Sequence, residues 1–159
     1  MNEFSIGIVM ALNGLLIALV EMVIVFKLEG RKPYLLLMSY GAILMAIAFL
    51  VLNLPVFNGF GLAVIFILIV TAAEMIAMPF MNSFYIGRST AANRGQYAAL
   101  YVMAWSAAQV IGSSTGTQIV EATGFFNLWF IVAALGIIGS LGYRLLHKKN
   151  SLNKMAIGR

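Results

Sequence analysis

The chain has 159 residues, of which 62% are hydrophobic and only 9% charged: ten Lys or Arg and five Glu, with no Asp and no Cys. Soluble domains carry about 25% charge and still expose roughly a third of their unfolded surface at this length, so a soluble enzyme is excluded. Disorder is excluded by the same balance, and the lack of Cys excludes a disulfide framework or a thiolate metal site.

What remains is an all-α polytopic membrane bundle. A membrane helix needs about 20 mostly apolar residues, and five stretches qualify: 4–26, 34–53, 59–82, 96–118 and 126–146. The apolar runs are continuous, without the in–out alternation of a lipid-facing barrel strand. A polar, basic tail follows over 147–159 and is expected to fray.

The first stretch carries Asn13, Gly14, Ala18 and Glu21 close to one face, a small and polar stripe. Glu21 reads either as a titratable group facing a cavity or as a side chain snorkelling to the interface or pairing with Arg31. Its N-terminus carries only Glu3, unlike the positive start of a signal peptide. The loop after it holds Lys27, Glu29, Arg31 and Lys32. The second stretch ends in a short loop, Leu54–Asn58, with turn formers.

The third stretch contains Glu74 and Pro79. An ionisable group inside a span is costly and marks function by default. Counted from an end at Asn82, Glu74 lies roughly 12 Å deep. It reads as a latch to Arg94 or Arg31, or as a proton-titrating carboxylate. A longer loop with Arg88 and Arg94 leads to the fourth stretch, which is the most polar. There Trp105, Gln109, Gly112 and Gly116 fall on one face, and Ser106, Ser113 and Thr117 beside it. The Gly112 to Gly116 spacing is a small-xxx-small pattern suited to close helix approach, as is Gly14 in its stripe. Alternatively Trp105, Ser106 and Gln109 line a substrate cavity, which Asn13 would share at mid-depth. The fifth stretch repeats Gly136, Gly139, Ser140 and Gly142, for which packing suffices.

All ten basic residues fall at one side of the five stretches. The positive-inside rule makes that side cytoplasmic, with the N-terminus outside and the C-terminus inside. Tyr34, Tyr85, Tyr97 and Tyr143 fall near the inner boundary, and Phe57, Phe126 and Trp129 near the outer one, as interfacial aromatics do. The net charge of +5 then reports topology and affinity for anionic lipid, not a nucleic-acid partner. No nucleophile–base pair, metal cluster or phosphate loop is visible, and neither a cofactor nor an enzymatic activity is expected.

Three motifs in order resemble the C-terminal half of the major facilitator superfamily, from its eighth to its twelfth helix. Lys27-Leu-Glu-Gly-Arg-Lys-Pro33 looks like the second copy of its gate-loop signature. Glu74-Met-Ile-Ala-Met-Pro79 is similar to the tenth helix of drug:proton antiporter-like members. Arg94-Gly95-Gln-Tyr97 looks like the opening of the eleventh helix. The resemblance covers about Phe4 to Leu146. It implies a cytoplasmic gate network of Glu29, Arg31, Glu74 and Arg94, and a cavity bordered by Asn13, Gly14, Trp105 and Gln109. It also implies a fragment of a proton-coupled exporter of small amphipathic molecules in a bacterial inner membrane. Such a fragment is expected not to transport without an N-terminal half or a partner membrane protein. A sugar or metabolite carrier, a non-transporting membrane module and a truncated gene product are the alternatives.

Overall fold

The computed structural model describes residues 3–55 and 59–157, with side chains up to Leu152. Phe57, Asn58 and Arg159 of the expected loop and tail lie outside the described residues, as does the side chain of Lys154. Four α-helices are long and apolar enough to cross a membrane, which is consistent with an integral membrane protein. They are α1 (Glu3–Leu28), α2 (Tyr34–Val51), α3 (Gly59–Ile86) and α4 (Arg94–Ile157).

Each boundary has a local cause. Gly30 adopts φ 70° just past the end of α1, the left-handed conformation that ends helices and that glycine takes without a Cβ penalty. Pro33 precedes α2 at φ −59°; it has no N–H to leave unpaired at a helix start. Asn93 opens α4: its carbonyl accepts from the Gln96 and Tyr97 amides, and its side chain accepts from the Thr90 amide at 2.6 Å.

Inside α4, Gly124 has φ 83° and ψ 169°, which is not helical. A continuous helix would hold Tyr101 and Tyr143 roughly 60 Å apart at 1.5 Å per residue. Instead both line one cavity. Gly124 therefore folds α4 into two arms that run back along each other. The expected break at Glu121–Phe125 is thus a single-residue reversal.

Two expected ends move outward. α3 runs on past Asn82 to Ile86, and α4 continues through the expected frayed tail to Ile157. No Gly or Pro intervenes between Gly142 and Gly158, so polarity there does not interrupt helical propensity.

α2 is the centre. α3 and α4 both pack on it, whereas α1 packs on α3 alone. Small residues permit the approach on both sides. A Cβ on Gly41 would stand 2.6 Å from Ala77 Cβ and 2.9 Å from the Ala73 carbonyl oxygen of α3. A Cβ on Gly136 of the second arm would stand 3.1 Å from Ala46 Cβ and 3.2 Å from the Ala42 oxygen of α2. These are the close helix seams of a membrane bundle. Gly14, Gly112 and Gly116, the expected packing positions, meet no atom within 4 Å where a Cβ would be. Within this chain they are not packing glycines.

A polar tie crosses the second seam. Ser39 and Ser140, both buried, share a hydrogen bond of 2.7 Å, and Arg144 Nε donates to Ser39 Oγ at 3.0 Å. Aromatics close the two ends. Tyr34 packs on Phe80 and Tyr85 on Tyr101 at the basic end, while Trp129 stacks between Phe49 and Phe125 at the other. Substituting Ser39→Ala orphans a buried hydroxyl, and is expected to cost about 1–3 kcal/mol. In a double-mutant cycle with Ser140→Ala, read by unfolding in detergent, the pair is expected to be less costly than the sum of the singles. Strict additivity would show the contact to be energetically idle.

Candidate functional site: a carboxylate held at mid-helix

The extension of α3 changes the depth of Glu74. It lies twelve positions before the end of α3 at Ile86, roughly 18 Å along the axis and near the middle of the helix. Asn13 is also near the middle of its own helix, α1. Because α1 packs against α3, the two side chains meet.

Asn13 Nδ2 donates to Glu74 Oε2 at 3.2 Å and to Thr71 Oγ1 at 2.9 Å. Thr71, fully buried, donates its own hydroxyl to the Ile67 carbonyl one turn back, at 2.6 Å. That direction leaves the Thr71 oxygen lone pairs for Asn13. Thr71 and Glu74 sit three positions apart on α3 and hence on one face. A single amide from α1 can therefore reach both. Five positions after Glu74, Pro79 stands inside α3 and deprives the Met75 carbonyl of its intrahelical donor.

The carboxylate's partner is thus an amide, and not Arg31 or Arg94. The latch expected from the sequence is not formed. Arg31 lies in the turn after α1 and Arg94 at the first turn of α4, both exposed, as is Glu29. No ion pair joins these three among the described residues. The expected gate network is therefore not assembled here. Glu21 is half-buried on α1, but eight positions from Asn13, about 12 Å along the axis, so it stands apart from the cluster.

The shared substrate cavity is also divided. Trp105 does line an apolar cavity of about 360 Å³, with Met38, Met81, Tyr101 and Tyr143 around it. Ser106 and Gln109 are not among its walls; both are exposed on the first arm of α4. Asn13 is remote, because α1 and α4 do not touch. Thr71 joins the site as a residue not singled out from the sequence, although a hydroxyl one turn before an intramembrane carboxylate is a readable signal. Among the described residues no group of three His, Cys, Asp or Glu side chains is arranged to hold a metal ion. No family model matches the chain, and neither a curated protein nor a solved structure matches it.

Proposed function

We propose that the chain is the C-terminal part of a secondary active transporter of the major facilitator kind, with Glu74 as its proton-carrying group. The observation that supports this reading is the Glu74 carboxylate at mid-helix, oriented by Asn13 of a second helix and by no cation among the described residues. An arginine partner would pin that carboxylate in a latch; its partner is instead a neutral amide, and intramembrane acids in transporters mark proton relays.

On this reading α4 crosses twice, its arms joined at Gly124, and the bundle spans the bacterial inner membrane five times with its basic end in the cytoplasm. The first arm of α4 leaves Trp105, Ser106, Gln109 and Gly112 exposed. Hydroxyls and an amide facing hydrocarbon are unfavourable, which supports a complementary helical bundle against that arm. Rocking of two such bundles about a midplane site is the transport mechanism. The cargo class we favour is a small amphipathic molecule, carried outward against protons.

The test is uptake of ethidium, an amphipathic cation, into inside-out vesicles carrying the transporter, driven by an imposed pH gradient. Glu74→Gln keeps an oxygen for the Asn13 donor but cannot carry the proton. Gradient-driven transport is expected to be abolished while the protein remains folded and inserted. Unchanged flux with unchanged pH dependence would remove Glu74 from coupling.

A further inference from the structure

A second cavity lies at the basic end, away from Glu74. It is an open cleft of about 950 Å³ between the turn after α1, the start of α2, the end of α3 and the last turns of α4. Arg31, Lys32 and Arg88 line it together with His147, and no carboxylate of the described residues is among its walls. Three cations gathered in one cleft focus a positive potential.

The local structure adds to that field. No side chain caps the N-terminus of α2, and Pro33, Tyr34 and Leu35 of that first turn line the cleft. The positive end of the helix dipole therefore faces it. Arg88 is steadied by the Phe84 ring, whose centroid is 4.6 Å from the guanidinium carbon. The helical continuation of α4 matters as well: His147, Asn150 and Ser151 reach the cleft because their i, i+3, i+4 spacing places them on one face. Lys148 and Lys149 do not line it.

We infer that this cleft is a binding site for the headgroup of an anionic phospholipid. Its phosphate would meet Arg31, Lys32 and Arg88, and hydroxyl-bearing parts would meet Asn150 and Ser151. Three features favour a lipid over free inorganic phosphate. The volume is far more than one phosphate fills. Tyr34, Leu35 and Phe84 form an apolar wall suited to the first methylenes of the acyl chains. The cleft also lies where apolar helices end and basic residues begin, the depth of the headgroups, where basic pockets between membrane helices take acidic lipids. The inference needs only membrane insertion, so it stands or falls separately from proton coupling.

The experiment is native mass spectrometry of the full chain in detergent, titrated with phosphatidylglycerol and, in parallel, with phosphatidylcholine. Selective retention of phosphatidylglycerol is expected, with its preference falling about 30-fold in a Lys32→Gln/Arg88→Gln variant, as removal of two interfacial cations produces. Lys148→Gln/Lys149→Gln removes the same charge outside the cleft and is expected to keep the preference. Equal retention of the two lipids by the unaltered chain would overturn the inference, and this comparison alone decides the matter if the cleft variant does not fold. An equal loss in both double variants would overturn it too, leaving only surface potential. Displacement of phosphatidylglycerol by millimolar inorganic phosphate would assign the cleft to the free anion instead.

Discussion

Gly41→Leu is expected to break the bundle at its centre. The first atom of any side chain at this position would stand 2.6 Å from one side-chain carbon and 2.9 Å from a backbone oxygen. The oxygen belongs to α3 and moves only with that helix. Overpacking a tight interior costs about 1–3 kcal/mol, occasionally more, and here α2 is the element on which both α3 and α4 rest. The midpoint of thermal unfolding in detergent should therefore fall sharply, and even Gly41→Ala should lower it. Gly112→Ala provides the contrast. Nothing lies within 4 Å of its Cβ position, and a helical Gly replaced by Ala gains up to about 1 kcal/mol of propensity. Should both alanine variants behave alike, close packing at Gly41 would not be holding α2 to α3.

That contrast shows why the sequence was informative about spans and poor on faces. Length and hydropathy identify the first three helices to within a few residues, because the bilayer demands a long apolar run wherever it is crossed. Which side of such a run meets protein is another matter. In α2 nearly every side chain is apolar, so periodicity carries no directional signal, and Gly41, Ala42 and Ala46 look like any other small residues. Gly112 and Gly116 of α4 look more purposeful in sequence because they sit among Ser and Thr, yet they face outward from this chain. Ser39 and Ser140 were each visible as a hydroxyl in an apolar run, but 101 positions separate them, and only the antiparallel packing of the second arm on α2 makes them partners.

The pairing of Asn13 with Glu74 was hidden by one turn of helix. Ending α3 at Asn82 puts Glu74 near the basic end and within reach of its arginines. Extending α3 through Ser83, Phe84 and Tyr85 to Ile86 places the carboxylate at the level of Asn13. Polarity near residue 83 marks where the chain can leave hydrocarbon, not where the helix must stop, since helical hydrogen bonds are as well satisfied in the headgroup region as in the core. The same reasoning applies to the last turns of α4, whose basic residues are soluble and helical at once.

Asn13→Leu is expected to slow gradient-driven efflux by about 10- to 100-fold, the range that loss of a hydrogen bond to a charged group gives when it orients the reacting group. The substitution leaves Glu74 in place and able to carry a proton, but removes the donor that fixes its carboxylate and frees the Thr71 oxygen as well. Coupling should therefore persist at a lower rate, which separates this variant from Glu74→Gln, where transport is lost because there is no proton to carry. The two changes should also be non-additive. Once Glu74 cannot titrate, the orientation that Asn13 provides has nothing left to serve, so the double variant should be no worse than Glu74→Gln alone. Measured as initial uptake rates at fixed protein level, a normal rate in Asn13→Leu would make the cluster a packing contact. Loss of coupling in that variant, without loss of fold, would move the proton site from the carboxylate to the Asn13–Glu74 pair as a unit.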